Sequence, residues 1–149
     1  MNKLYIYYSL TGNGDYIGEI LSSKGFEIRK IKAKDKMPKS FIGQIMTGGF
    51  LSLIGYKAKL LDFDYNITNY DEIIIGSPIW NDRLACPINT LLDKIDFKSK
   101  KVTFILYSGS GKSNHATRKI IDKYKDVNII NIREPLKNKN IVNDKLKDL

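Results

Sequence analysis

The chain has 149 residues, 42% of them hydrophobic, and this length suits one domain with a buried core. No stretch of the sequence approaches the roughly 20 apolar residues that a membrane span requires. Cys86 and His115 are the only cysteine and the only histidine, which excludes an internal disulfide and a Cys/His zinc site built within one chain.

The net charge of +9 comes from 25 lysines and arginines against 16 acidic residues. The basic residues are scattered along the chain, and no nucleic-acid-binding motif is present. We therefore expect acidic protein partners and phosphate-bearing ligands rather than nucleic acid. The chain opens directly into a strand-like run with no signal-peptide pattern, which predicts a cytoplasmic protein.

Five strand-like runs alternate with helical patterns along the chain. The predicted strands cover Leu4–Tyr8, Phe26–Ile31, Glu72–Ile75, Val102–Tyr107 and Val127–Ile132. The predicted helices cover Asp15–Ser23, Cys86–Ile95, Asn114–Tyr124 and a short stretch from Ile141. This alternation predicts a single α/β domain over residues 1–149, in which a doubly wound, five-stranded parallel sheet lies between two layers of helices.

One segment, at about residues 38–62, departs from the plain alternation. It connects the second strand to the third, and its pattern indicates an interrupted helix followed by a loop. We interpret it as an insertion that covers the sheet. A lid over a ligand or a partner-binding face is the alternative, because long connections are often functional.

A polar, glycine-rich loop follows the first strand and leads into a helix; its sequence is Ser9-Leu10-Thr11-Gly12-Asn13-Gly14. Such a loop directs backbone N–H groups and the positive end of the helix at an anion, and the two hydroxyls add donors. The loop matches neither Gly-x-Gly-x-x-Gly nor the Walker A motif. We predict a phosphate site here. The alternative is a polar turn in which Asp15 caps the helix.

Two further loops follow the third and fourth strands. The first spans Gly76–Arg83 and includes Pro78-Ile79-Trp80-Asn81; the second includes Ser108-Gly109-Ser110-Gly111. Ligands of open parallel sheets bind outside the carboxyl ends of the strands, so we expect all three loops to converge. The only tryptophan suits stacking on a planar ring, and the small residues of the last loop allow close approach. A phosphate at the first loop with a flat ring between the other two describes flavin mononucleotide (FMN).

At these three loops the chain resembles the flavodoxin family. The run from Ser9 to Gly14 is similar to the family's phosphate loop, Ser/Thr-x-Thr-Gly-x-Thr, and the other two loops are similar to its ring-binding loops. The segment from Gly48 through Arg83 to Pro87 also resembles a short-chain, flavodoxin-like branch found in many bacteria. The resemblance implies the strand order 2-1-3-4-5 and FMN as the cofactor.

Three departures from the family pattern affect these expectations. Gly14 replaces the final threonine of the phosphate loop, which removes one hydroxyl donor and predicts weaker phosphate binding. Asn81 stands where many flavodoxins have glycine, a position whose backbone can require a positive φ. The chain is basic whereas typical flavodoxins are acidic, so we expect a less negative reduction potential.

The function implied by the resemblance is reversible FMN binding for one-electron and two-electron transfer between redox proteins, a reductase and an acceptor. No residue is proposed as a general acid, base, nucleophile or metal ligand. Two alternatives stay open. One is an NAD(P)H-dependent FMN or quinone reductase on the same fold, and the other is a flavodoxin-shaped binding module that has lost the flavin.

Overall fold

A computed structural model describes residues 1–34, 43, 46–47, 50–51, 54 and 56–149 of the chain. Within these ranges six strands form one sheet: β1 (Lys3–Tyr7), β2 (Phe26–Lys30), β3 (Glu72–Trp80), β4 (Arg83–Leu84), β5 (Lys101–Ser108) and β6 (Val127–Arg133). The order is β2-β1-β3-β5-β6 with all neighbours parallel, and β4 pairs antiparallel with β3 alone. The five main strands therefore confirm the predicted order, and β4 is an addition to it.

Helices cover both faces of this sheet: α1 (Asn13–Ser23), α2 (Cys86–Leu92), α3 (Asn114–Tyr124) and α4 (Lys139–Leu146). Buried side chains of α1 and α4 share one core with the face that carries Tyr5, Tyr7 and Tyr107. Buried side chains of α2 and α3 share the other core with Leu4 and Phe104. The predicted three-layer α/β/α arrangement is thus confirmed. No helix in the described ranges is long and apolar enough to cross a membrane.

The third strand is longer than the sequence indicates. We predicted a strand over Glu72–Ile75 and a loop from Gly76 onward, and that boundary was wrong, because β3 continues to Trp80 and pairs with β5 as far as Pro78. The last β1–β3 pair joins Tyr7 to Gly76, so Pro78 lies beyond the end of β1. A proline is tolerated there because one side of the strand has no neighbour that needs its missing N–H.

The predicted insertion at about 38–62 lies partly outside the described residues. Gly43, Met46, Thr47, Phe50 and Leu51 are helical. At its borders an isolated antiparallel bridge joins residues 33 and 60. The roles proposed for the segment, a cover, a lid or a partner face, stay predictions.

Candidate functional site

Three polar segments lie at the carboxyl ends of adjacent strands. The sheet order places β1, β3 and β5 side by side, so the loop after β1, the turn after β3 and the loop after β5 share one edge. We refer to them as the phosphate loop (residues 9–14), the hairpin (residues 78–83) and the serine loop (residues 108–113). This is the convergence that the topology of a doubly wound sheet predicts.

Local hydrogen bonds shape the phosphate loop. The Gly14 N–H donates to the Oγ of buried Ser9 over 3.0 Å, which folds the loop back onto the start of α1. Gly12 is the N-cap residue at a φ of 90°, and no side chain caps the helix. The Asn13 amide bridges two segments: its Nδ2 donates to Thr11 Oγ1 over 3.3 Å, and its Oδ1 accepts from the Leu136 N–H over 3.1 Å.

Gly14 packs directly against the sheet. A Cβ at this position would lie 2.5 Å from the Oη of Tyr107, 2.7 Å from Cδ2 of Tyr7 and 2.9 Å from Cβ of Ser9. Tyr107 is buried, and its hydroxyl donates to the carbonyl of Tyr8, the residue before the loop. The departure from the family threonine therefore has a structural reason, because the space that a side chain would need is occupied by tyrosines.

Asp15 lies in the first turn of α1 and is not its N-cap residue, so the alternative that made it the cap was wrong. Its Oδ1 accepts from Tyr7 Oη over 2.8 Å and from Lys30 Nζ over 2.6 Å. Burial raises the pKa of Asp15, but the hydrogen bonds from Lys30 and Tyr7 outweigh it and hold the pKa below its usual value. The carboxylate thus joins the start of α1 to β1 and β2.

The tyrosines beneath α1 predict how stability changes at alkaline pH. Burial, together with the neighbouring tyrosine hydroxyls, raises the pKa of Tyr5 and of Tyr107 well above the usual value. An unfolded tyrosine titrates near pH 10. These groups therefore contribute their full stabilisation below about pH 10, and that contribution declines as the pH rises toward the folded values.

Between about pH 9 and about pH 11 the free energy of unfolding should fall in both proteins. We expect the fall to be about 1 kcal/mol smaller in Tyr107→Phe than in the wild type. Urea titrations at both pH values measure the difference, and Tyr16→Phe is the control because Tyr16, which lies in α1, is only partly buried. An equal loss in wild type and Tyr107→Phe would contradict this prediction.

The hairpin is a two-residue turn between β3 and β4. Asn81 and Asp82 have φ values of 51° and 56°, the left-handed conformation of a type I′ turn, and Trp80 pairs with Arg83 across it. The carboxylate of Asp82 accepts from the His115 N–H over 3.0 Å, which ties the turn to the first turn of α3. Asn81 thus has the positive φ that we expected this position to be able to require.

The serine loop is held by its own hydroxyls. Ser108 Oγ accepts from the Gly111 N–H over 2.9 Å, and Ser110 Oγ accepts from the Lys112 N–H over 3.2 Å. Gly111 has a φ of 72°, and a Cβ there would lie 2.9 Å from the Cβ of Arg133. Gly109 by contrast faces open space, with nothing within 4 Å of an added Cβ.

A cavity of about 350 Å³ separates the hairpin from the serine loop. Its volume falls within the range of small-molecule sites. Six of its lining residues are Ile79, Asn81, Ser108, Gly109, Ser110 and Lys112. The structure thus brings together most of the residues that we predicted on the two ring-binding loops, and adds Asp82, Lys112 and Asn114 to them.

Trp80 has a different environment from Ile79. Its half-buried ring meets Tyr8 edge-on, with the ring centroids 5.8 Å apart, and lies beside Cys86 and Pro87. The tryptophan therefore lies between the end of β1 and the start of α2, and its predicted stacking on a flat ring stays a prediction.

Sequence reasoning missed the connection after β6, where Leu136 contacts the phosphate loop. Pro135, two residues after the end of β6, was the available signal.

A parallel sheet in the order β2-β1-β3-β5-β6, with helices on both faces and polar loops at the carboxyl ends of its central strands, defines the doubly wound α/β class of protein. The sequence model of the family described as Flavodoxin matches residues 56–149, and the chain belongs to the flavodoxin family. None of the curated protein sequences matches the chain.

Solved structures share the fold. The crystal structure of a flavoprotein in complex with FMN from Lactobacillus acidophilus NCFM is 24% identical, with 93% of this chain and 97% of that chain covered and a TM-score of 0.67. A protein from Bacteroides eggerthii is 20% identical, with 96% of each chain covered and a TM-score of 0.69. At these identities the likeness shows the fold alone.

Proposed function

We propose that the chain binds FMN at the phosphate loop, the hairpin and the serine loop, and carries electrons between redox proteins. The observation that carries the proposal is the 350 Å³ cavity between the two predicted ring-binding segments at the ends of β3 and β5, of which β3 is the neighbour of β1, the strand that bears the phosphate loop. Family membership and the FMN complex of the structurally similar Lactobacillus flavoprotein support it.

The residues present fit such a cofactor. A phosphate needs donors, and the first loop offers the Ser9 and Thr11 hydroxyls and the positive end of α1, which has no side-chain cap. A flat ring needs a slot with small walls, and Gly109 leaves open space where a side chain would otherwise project. The hydroxyls of Ser108 and Ser110 provide polar partners for the edge of the ring.

FMN supplies the electron-transfer chemistry when it is bound, and the protein supplies position and electrostatics. Ser9 and Asn13 hold the phosphate loop in shape through the hydrogen bonds described above. Asp82 holds the hairpin against α3, so the wall of the cavity is preorganised. Lys112 is one of the residues that line the cavity, and a positive side chain on such a residue favours the gain of negative charge inside it.

We therefore expect Lys112→Glu to lower the reduction potential of the FMN-loaded protein, because a carboxylate at the cavity disfavours added negative charge. Spectroelectrochemical titration at low salt measures the potential, and Lys98→Glu is the matched control, since the exposed Lys98 precedes β5 at the opposite edge of the sheet. Equal potentials for the two variants would contradict the assignment of the cavity.

An NAD(P)H assay separates a carrier from a reductase. The carrier proposal expects the FMN-loaded protein alone to oxidise NADPH and NADH no faster than free FMN, while it accepts electrons from a separate reductase. Steady oxidation of either nucleotide by the purified protein would instead assign it as a reductase on the flavodoxin fold.

A further inference from the structure

A groove of about 510 Å³ runs between α2 and α3, on the face of the sheet that carries Leu4 and Phe104. Its floor is apolar: Leu92, Ala116 and Ile120 are buried, and Leu84 and Tyr124 are partly exposed. The FMN proposal does not use this groove, because the cavity assigned to the flavin has different lining residues.

The rim of the groove is basic. Lys57, Arg83, Lys119 and Lys123 line it, and in the part of the chain that the structure describes Asp93 is the one carboxylate among the lining residues. That carboxylate is already paired with Lys57. Arg83, Lys119 and Lys123 therefore present positive charge over an apolar floor, which suits an occupant with negative charge and apolar side chains.

The His and Lys residues that α3 contributes to the groove form a line and not a cluster. His115, Lys119 and Lys123 follow each other at intervals of four residues, so they lie along one side of the helix at steps of roughly 6 Å. A phosphate group requires donors that converge on one point. A line of basic residues beside the apolar floor of the groove instead matches an extended acidic amphipathic segment, as in helix-in-groove recognition.

The groove shares a wall with the candidate flavin cavity. Asp82 and Asn114 line the cavity, while their chain neighbours Arg83 and His115 line the groove. The hydrogen bond from the His115 N–H to Asp82 joins the two elements at this wall. A protein seated in the groove would therefore lie directly beside the bound cofactor, where an electron carrier needs its partner.

We propose that the groove between α2 and α3 is the docking site for an acidic amphipathic segment of a redox partner protein. The inference rests on the proposed function and names the kind of partner and its position. Apolar side chains of the partner lie over Leu84 and Ile120, and its carboxylates pair with Lys119 and Lys123.

The test uses an acidic plant-type ferredoxin as the probe. Its affinity for the FMN-loaded protein is titrated at low salt, and carbodiimide cross-links between its carboxylates and lysines of this chain are mapped by mass spectrometry. We expect cross-links at Lys57, Lys119 and Lys123, and about tenfold weaker binding for Lys119→Glu/Lys123→Glu.

Two further variants separate docking from net charge. Lys98→Glu/Lys147→Glu makes the same charge change at two residues whose side chains are 88% and 62% exposed. Lys98 lies in the connection before β5, and Lys147 follows α4 directly. This variant should bind the probe nearly as the wild type does. Asn89→Trp fills the groove from α2 without changing the charge, and should weaken binding.

The proposal would be overturned by equal weakening by both charge-reversal pairs, by cross-links outside the groove, or by the absence of saturable binding of the probe at low salt. Binding of a nucleotide such as NADPH in the groove, if that binding disappears in Lys119→Glu/Lys123→Glu, would also overturn it. FMN affinity is measured on every variant. Loss of docking with unchanged FMN affinity supports the groove, whereas failure of the wild type to bind FMN contradicts the proposed function and not the cross-linking result.

Discussion

Gly14→Ala is expected to lower the free energy of unfolding by about 2 kcal/mol, because the new methyl group overpacks a closed core. The added Cβ would lie 2.5 Å from Tyr107 Oη and 2.7 Å from Tyr7 Cδ2, and both rings belong to the core beneath α1. Relief of these contacts requires the start of α1 to move away from the sheet. The phosphate loop would move with it, so FMN affinity should fall by about tenfold or more.

The same helix contains the matched control. Gly18 is also buried, but a Cβ there would meet its nearest neighbours at 3.6 to 3.7 Å, which is ordinary contact. Gly18→Ala should therefore raise stability by about 0.5 kcal/mol through its higher helix propensity and leave FMN affinity unchanged. Urea unfolding and FMN titration of both variants provide the comparison. Equal stabilities for the two variants would contradict the packing argument.

A double variant tests which neighbour is responsible. Tyr107→Phe removes the hydroxyl nearest to the added Cβ, while the contacts to Tyr7 and Ser9 remain. The cost of Gly14→Ala should therefore be smaller in a Tyr107→Phe background, and a double-mutant cycle should show coupling of about 1 kcal/mol. Additive effects would place the strain elsewhere in the site.

Gly111→Ala is expected to lower the free energy of unfolding by about 2 kcal/mol, for two reasons. A φ of 72° disfavours any residue with a Cβ, and that Cβ would lie 2.9 Å from Cβ and 3.3 Å from the backbone of Arg133. The backbone of β6 cannot rotate away as a flexible side chain can. The strain should therefore displace the serine loop and weaken FMN binding as well.

Gly109 provides the control in the same loop. An added Cβ has nothing within 4 Å, so Gly109→Ala should change stability by less than about 0.5 kcal/mol. Gly109 also lines the cavity, so a larger side chain in Gly109→Leu should reduce FMN affinity while the protein stays folded. Thermal unfolding and FMN titration separate the two effects. A Gly109→Leu variant that unfolds, or that binds FMN as well as the wild type, would contradict the assignment of this wall.

The strands of the sheet were predictable because local patterns mark them, whereas their order was implied by the resemblance to the flavodoxin family. Consecutive apolar residues in Ile73–Ile75 and Phe104–Leu106 indicated strands that are buried on both faces, as the structure has them. The bounds of α3 at Asn114–Tyr124 also agree with the prediction. Its periodic pattern begins after a run rich in small polar residues and ends just before the strand-like run that starts at Val127. Both limits of the helix are therefore visible in the local sequence.

The hairpin was not predictable in the same way. Gly76 and Pro78 are residues that normally interrupt strands, yet here the glycine makes room for the ring of Tyr5 and the proline lies beyond the end of β1. Both reasons depend on a neighbouring strand about 70 residues away in the sequence. The contact between Asp82 and the N-terminal turn of α3 is likewise a tertiary feature that no local pattern announces.

The candidate site shows the same division. The polar loops after three strands were visible in the sequence, and their convergence followed from topology. The reason for Gly14 was not visible, because Tyr107 lies 93 positions further along the chain. The sequence alone suggested a lost phosphate donor, whereas the structure adds a packing requirement that any side chain at this position would violate.

Titration of the purified protein with FMN tests the central claim most directly. Flavin fluorescence and the emission of Trp80, the only tryptophan, are followed together. We predict saturable binding of one FMN per chain, with affinity reduced in Gly109→Leu and unchanged in Gly18→Ala. Absence of saturable binding, or equal affinity in all three proteins, would contradict an FMN site between the hairpin and the serine loop.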